Sequence, residues 1–208
     1  IREELDRLET KTGKTYQVTT ALPCFPRLFQ VTEMGEVAKY IDYLNIMAYD
    51  YYVAGDTAGH HSNLYHSESY EKEDSGNKAY ELYTQAGVPA EKLVLGIPFY
   101  GRSWFMKTDD NFGINRGVDS VARGGGYTFI KDSIMVRPGF VRHWDDKAKA
   151  PFLWNAETRQ LVVFDDEESV KYKCEYVQSK NMAGIMFWQY ASDPKEYLLT
   201  AVNQYLGE

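Results

Sequence analysis

The chain has 208 residues, of which 44% are hydrophobic, 15% aromatic and 25% charged, and its formal net charge at pH 7 is −7. A chain of this length and composition can bury a sizeable core, which excludes intrinsic disorder and a collagen-like repeat. The acidic balance argues against a nucleic-acid partner, and no run approaches the ~18 consecutive apolar residues of a membrane-spanning helix.

Helices and strands are predicted to alternate along most of the chain. The helical segments have apolar residues at helical spacing, and the strands are short runs rich in β-branched and apolar residues. The predicted elements in chain order are helix 1–12, strand 15–22, helix 32–40, strand 41–49, helix 77–86, strand 92–99, helix 167–179, strand 182–190 and helix 194–205. A polar loop is predicted at 55–69, and Pro194 is expected in the first turn of the last helix.

The alternation predicts an α/β fold with a parallel sheet, because strands that are apolar along their whole length are buried on both faces. Four such units are too few to close a (β/α)8 barrel, which needs eight strands and ~250 residues, so the pattern indicates half of a barrel. A doubly wound open sheet is the alternative. The first strand, however, continues into ALPCFPRLF and lacks the glycine-rich phosphate loop of that fold.

A long segment separates the third and fourth predicted strands. Residues 103–165 contain a triple glycine and four short β-like runs, which are GYTFI, FVRHW, PFLWN and QLVVF. The segment is too long for a connecting loop and too regular for disorder. We therefore predict a small α+β insertion domain at 103–165, with the barrel half formed by 1–102 and 166–208.

Aromatic and hydrogen-bonding side chains gather where three of the predicted strands end. In parallel α/β folds the working residues lie at the C-terminal ends of strands, and aromatic rings there suit carbohydrates, whose C–H faces pack on flat rings. Ordinary rim packing would explain any single ring, but three in register favour a sugar cleft. The three strand ends read Met47-Ala48-Tyr49-Asp50, Phe99-Tyr100-Gly101-Arg102 and Phe187-Trp188-Gln189-Tyr190.

Four motifs give the chain a specific resemblance. They are M-x-Y-D at 47–50, GIPFYGR at 96–102, F-D-D at 164–166 and G-x-M-x-W at 184–188. From about Tyr16 to the end, the chain resembles the C-terminal half of a glycoside hydrolase family 18 domain, the chitinase family. The predicted insertion is similar to the extra α+β domain of family members with a deep cleft.

The resemblance implies a role for each strand-end residue in binding an N-acetylglucosamine polymer. Tyr49 would donate a hydrogen bond to the acetamido group of the sugar in the −1 subsite, in a pocket also lined by Asp50 and Met47. Trp188 would stack under that sugar ring as the floor of the site. An oxocarbenium-like centre is stabilised by a π face and by hydrogen bonds that strengthen as the ring distorts, which agrees with these residue types.

Two further residues are expected on the cleft wall. The resemblance places Tyr100 and Arg102 there, towards the leaving-group side. Pairing of Arg102 with a structural carboxylate is the alternative for that residue.

One motif of the family is absent from the sequence. The general acid of family 18 is the Glu of D-x-x-D-x-D-x-E, and no acidic run of this chain has that spacing. In the family this motif directly precedes the helix that residues 1–12 resemble, so we expect the chain to be a piece of a longer protein. The missing Glu would protonate the leaving group, and the chain alone is therefore expected to be inactive.

Several functions stay open at this point. The chain could belong to a chitinase, to a chitin-binding lectin on the same barrel, or to a peptidoglycan or N-glycan hydrolase of the family. Its expected partners are a chitin oligosaccharide and either the missing N-terminal barrel half or a second copy. The resemblance implies an extracellular or cell-envelope location.

The remaining titratable residues favour structural roles. His60, His61 and His66 tempt a metal interpretation, but adjacent histidines in a loop diverge and no carboxylate lies at ligand spacing, so no metal or cofactor is expected. Asp165-Asp166 is interpreted as a helix N-cap rather than a catalytic dyad. Two cysteines, at 24 and 174, are too few for a disulfide scaffold and leave the redox compartment open.

Overall fold

The structure is a computed structural model that describes residues 1–53, 55–67 and 72–207. Among these residues no helix is both long and apolar enough to cross a membrane. The helices are α1 (Arg2–Thr12), α2 (Pro26–Val31), α3 (Met34–Val37), α4 (Gly76–Gln85), α5 (Tyr127–Phe129), α6 (Glu167–Ser179) and α7 (Tyr197–Leu206). The strands are β1 (Thr19–Pro23), β2 (Tyr43–Met47), β3 (Thr57–Ala58), β4 (Leu93–Pro98), β5 (Tyr100–Met106), β6 (Arg116–Gly126), β7 (Phe140–Asp145), β8 (Ala150–Asn155), β9 (Gln160–Val163) and β10 (Gly184–Trp188).

The protein is α/β, and its first sheet is parallel. The strand order is β1-β2-β4-β10, and every neighbouring pair runs in the same direction. Leu44, Ile46, Leu93 and Leu95 are buried on β2 and β4, which explains why these strands are apolar. All four strands therefore present their C-terminal ends at one edge of the sheet.

The second sheet is antiparallel and six-stranded, in the order β3-β6-β5-β9-β8-β7. It draws on residues outside the predicted 103–165 range, because β5 begins at Tyr100 and β3 pairs with β6 from Thr57–Ala58. The close approach of β5 and β6 requires glycine, since a Cβ on Gly124 would lie 1.8 Å from the carbonyl oxygen of Gly101.

A single residue, Phe99, separates β4 of the parallel sheet from β5 of the antiparallel sheet. Its amide donates to the carbonyl of Trp188 at 2.8 Å, and its carbonyl accepts from the amide of Tyr127 at 2.8 Å. Its buried ring stacks on Phe187 with centroids 4.4 Å apart. Hydrogen bonds and stacking thus fix the junction of the two sheets from both sides.

The sequence located most elements, and the differences have local causes. Residues 32–40 form only the short helix α3, while α2 was missed although Pro26 suits its first turn. GYTFI was predicted as a β-like run, but β6 ends at Gly126 and Tyr127 begins a helical turn. The last helix begins at Tyr197, after Pro194 rather than around it.

The helix-cap interpretation of the acidic pair is confirmed for Asp166 and wrong for Asp165. Asp166 caps α6 in a capping box with Ser169, whose amide donates to Asp166 Oδ1 at 3.0 Å. Asp165 is instead buried against Lys173, whose Nζ lies 2.7 Å from both carboxylate oxygens. Burial of the two charges is tolerated because they pair directly.

Candidate functional site

The three predicted strand-end rings lie at the same edge of the parallel sheet. Tyr49 follows β2 by two residues, Tyr100 follows β4 by two residues, and Trp188 is the last residue of β10. The rings of Tyr49 and Tyr100 meet edge to face, with centroids 6.3 Å apart. Trp188 is 57% exposed, which leaves a large aromatic surface open at this edge.

Asp50 is the centre of the hydrogen-bond network at this edge. Its backbone has φ 64°, a left-handed conformation that Asp tolerates better than most residues, and this turns the chain sharply after β2. Nε and Nη2 of Arg102 donate to Asp50 Oδ1 at 3.0 and 2.8 Å. The Tyr100 hydroxyl donates to Oδ2 at 2.9 Å. Asp50 therefore links the parallel sheet to two side chains of β5.

The Asp50 carboxylate stays ionised in this setting. Burial raises the pKa of Asp50, but hydrogen bonds from His61, Arg102 and Tyr100 outweigh it and lower the pKa to about 2. The pKa of the Tyr100 hydroxyl is raised by burial and by the neighbouring carboxylate. Tyr100 therefore remains a protonated donor and Asp50 a pure acceptor.

Tyr49 is buried against the strands beneath it. A Cβ on Gly96 of β4 would come within 3.0 Å of Tyr49 Cε1 and 2.3 Å of the Ile46 carbonyl, so glycine makes room for this ring. Burial also raises the pKa of the Tyr49 hydroxyl. The phenol is consequently a fixed, neutral hydrogen-bond donor.

Met47 ends β2, and its carbonyl accepts a long hydrogen bond of 3.8 Å from the buried thiol of Cys24. Five of the six predicted site residues thus lie at or just after the C-terminal end of a parallel strand, whereas Arg102 lies within β5. Side-chain contacts join Tyr49, Tyr100, Arg102 and Asp50, and Met47 and Trp188 end strands β2 and β10 at the same edge of the sheet.

A cavity of about 380 Å³ lies directly beside this network. Its lining includes Tyr100 and Arg102 of β5, Gly124–Gly126 of β6, and Ser192. The cavity therefore lies against β5 and β6 of the antiparallel sheet, next to the pair formed by Arg102 and Asp50. A cavity of this size accommodates a sugar residue or two.

His61 is a site residue that the sequence analysis assigned to a polar loop. Both His60 and His61 are buried, and His61 Nδ1 lies 3.4 Å from Asp50 Oδ1. Residues 68 and 69 of the predicted loop lie outside the described residues. Within the described ranges, no cluster of three His, Cys, Asp or Glu side chains is placed to hold a metal ion.

The arrangement combines an exposed aromatic face, neutral phenol donors and an ionised carboxylate paired with a guanidinium. Groups of these types suit an uncharged ligand with apolar faces and polar rims, as sugars have. Residues 1–193 match the family described as Glycosyl hydrolases family 18. The chain belongs to glycosyl hydrolases family 18. The resemblance in the strand-end motifs is confirmed by this match.

Known family 18 proteins match most of this chain. Chitinase A1 of Niallia circulans is 33% identical over 213 residues, which cover 95% of this chain and 30% of that protein. A family 18 N-acetylglucosaminidase from Paenibacillus barengoltzii superposes with a TM-score of 0.93 at 38% identity, covering 99% of this chain and 60% of that one. A plant class V chitinase mutant from Cycas revoluta, solved in complex with (GlcNAc)3, has a TM-score of 0.85 at 25% identity and the same coverage.

The family 18 chain described here therefore spans 30% of that curated relative and 60% of the two solved chains.

Proposed function

We propose that the protein takes part in the hydrolysis of β-1,4-linked N-acetylglucosamine polymers by the retaining, substrate-assisted route. The observation that carries this proposal is the network around Asp50, with Tyr49 beside it and the open face of Trp188 on the same edge of the sheet. Chitinase relatives and the oligosaccharide-bound neighbour support chitin as the partner.

In this proposal Trp188 stacks under the −1 sugar, and the Tyr49 hydroxyl donates to its acetamido group. That hydrogen bond turns the acetamido carbonyl oxygen towards the anomeric carbon, where it forms the new bond as the glycosidic bond breaks. Asp50 and Met47 line the same pocket. The fixed phenol orients the acetamido group before the reaction, which is how positioning lowers the barrier.

Tyr100 and Arg102 form the cleft wall on the leaving-group side. Arg102 combines its two expected roles, as a residue of the cleft wall and as the partner of a carboxylate, because the carboxylate that it pairs with is Asp50. The pair fixes the guanidinium plane, so that its remaining N–H groups are available to the ligand.

The leaving group needs a general acid that this sequence does not supply in the family's D-x-x-D-x-D-x-E motif. We propose that the four parallel strands are the C-terminal half of a (β/α)8 barrel. Within the described residues, β1 and β10 each pair on one side only. The partner completing the barrel is an N-terminal half or a second copy of this chain.

We propose that residues 103–165 form the insertion domain between barrel segments 1–102 and 166–208; most of the antiparallel sheet lies in this range, although β3 and the start of β5 lie outside it. An extracellular or cell-envelope location goes with a polymeric substrate of this kind.

Calorimetry with chitotetraose and cellotetraose tests the proposal. Both are β-1,4-linked, but only chitotetraose carries acetamido groups, so we expect the chain to bind chitotetraose at least tenfold more tightly. Tyr49→Phe removes the donor and should abolish most of that preference, whereas Tyr190→Phe is a matched control. Equal affinity for the two sugars would refute the acetamido-binding role of Tyr49.

An activity assay tests the expectation that this chain lacks a general acid. The chain alone should not cleave a chromogenic chitobioside above background, because general acid catalysis typically contributes 10²–10⁴-fold. Turnover that survives repurification would contradict this. A substrate panel of chitin, peptidoglycan and N-glycan, applied to the completed barrel, separates the hydrolases from one another and from a lectin, which would bind without cleavage.

A further inference from the structure

We propose that His61 is a positioning residue whose Nδ1–H holds the Asp50 carboxylate in the orientation that receives Arg102 and Tyr100. The inference deepens the proposed function and rests on it, because the side chains held by Asp50 are those that would face the sugar. His61 itself is 1% exposed and does not reach the cavity. It would act on a ligand only through Asp50.

The Asp50 carboxylate is held from two different elements. Arg102 and Tyr100 approach it from β5, and His61 approaches it from the loop that follows β3. The imidazole also packs against the Tyr100 ring, with centroids 5.6 Å apart and an interplanar angle of 51°. Without His61, the described side chains that donate to the carboxylate would both belong to β5. The carboxylate would then be free to move together with that strand.

The charges around His61 determine its tautomer. Asp50 is ionised and can only accept a hydrogen bond, so the 3.4 Å contact is attractive when Nδ1 carries the hydrogen. Burial lowers the pKa of His61, and the positive charge of Arg102 lowers it further. The carboxylates of Asp50 and Asp165 raise this pKa, but they do not outweigh burial. The ring is therefore neutral, with its hydrogen on Nδ1. Nε2 is buried and has no hydrogen-bond partner among the described residues.

The backbone around His61 is anchored on both sides. The amide of Tyr51 donates to the His61 carbonyl at 3.2 Å. The hydroxyl of Ser62 donates to Asp165 at 2.8 Å, and Asp165 is paired with Lys173 of α6 inside the core. A buried ion pair thus anchors the backbone beside His61, while the imidazole itself is held by its burial and by its contacts with Asp50 and Tyr100.

Nuclear magnetic resonance and calorimetry on the whole chain test the proposal. ¹⁵N shifts of the wild-type imidazole report the tautomer, and ¹³C carboxyl shifts report the pKa of Asp50. His61→Asn keeps an N–H donor near the Nδ1 position, whereas His61→Gln moves it towards Nε2. His66→Asn is the matched control, because His66 is an exposed histidine of the same loop.

We expect a neutral Nδ1–H imidazole in the wild-type chain. His61→Gln should raise the pKa of Asp50 and weaken chitotetraose binding at least tenfold, while His61→Asn and His66→Asn should stay within threefold of wild type. Equal behaviour of His61→Asn and His61→Gln would overturn the proposal. An Nε2–H tautomer in the wild-type chain would also overturn it, and this result does not depend on the variants folding.

Failure of the proposed function gives a different result. A wild-type chain that binds no chitotetraose would refute sugar binding, but the tautomer and the response of the Asp50 pKa to the two variants would still decide whether His61 positions Asp50.

Discussion

Replacing Trp188 by alanine should weaken chitotetraose binding about 20-fold and leave the fold intact. Trp188 is 57% exposed and belongs to neither buried core cluster, so its removal opens no core cavity. In the proposed complex, by contrast, a sugar covers one face of the indole. The substitution therefore acts on the bound state alone.

The magnitude follows from the exposed surface. A tryptophan side chain presents up to about 250 Å², of which about 140 Å² is open at 57% exposure. A sugar on one face covers roughly half of this, about 70 Å², which at about 25 cal/mol per Å² is worth about 1.8 kcal/mol. Since 1.4 kcal/mol is a tenfold change in Kd, the expected loss is about 20-fold.

Isothermal titration calorimetry measures the Kd, and thermal unfolding followed by circular dichroism checks the fold. Tyr190→Ala is the matched control, because Tyr190 is 52% exposed and only two residues away, with its hydroxyl donating to Glu196 at 2.6 Å. We expect its Kd to stay within twofold of wild type. If Trp188→Ala binds chitotetraose as tightly as wild type while melting normally, the stacking argument is wrong.

Three further predictions concern the support of the site. Lys173→Met should lower the free energy of unfolding in urea by about 3–5 kcal/mol, because it leaves Asp165 charged and buried, and Asp165→Leu added to it should recover part of the loss. The pKa of Asp50 is lowered from 3.8 to about 2, so the ionised carboxylate should contribute about 2 kcal/mol to the free energy of unfolding. This contribution should be present above pH 4 and lost as the pH falls through 2. Urea titrations at several pH values should show no such loss in Asp50→Asn. Gly96→Ala should cost about 1–3 kcal/mol in the same assay and shift the Tyr49 ring resonances, because its methyl group would clash with the Ile46 carbonyl of β2 and press on that ring. An unchanged free energy of unfolding in Lys173→Met or Gly96→Ala would contradict the packing described for these residues, and an equal loss at low pH in Asp50→Asn and wild type would contradict the role of Asp50.

The parallel sheet could be predicted from the sequence because its signal is local. Runs such as KLVLGIPF are apolar throughout, as a strand covered on both faces must be, and each ends in the aromatic and polar residues that lie at the sheet edge. Because the C-terminal ends of parallel strands lie at one edge of a sheet, the proximity of Tyr49 and Tyr100 could be predicted without knowledge of the tertiary structure.

Features that depend on distant partners escaped the sequence analysis. The burial of His61 is created by contacts with Asp50 and by the anchoring of Ser62 on Asp165, 103 positions away along the chain. Two adjacent histidines in a polar stretch of sequence do not indicate that either of them is buried. Likewise, the two residues of β3 are too few to form a periodic pattern, and only their pairing with β6 makes them a strand.

The junction at Phe99 has a consequence for how a ligand would enter. Only one buried residue connects β4 to β5, and it is hydrogen-bonded to both Trp188 and Tyr127, so this connection is too short and too well anchored to act as a hinge between the two sheets. We therefore expect the two sheets to move together at this connection. Association would therefore follow a single fast phase with no slow closing step, and discrimination between glycans would depend on the static shape of the cavity.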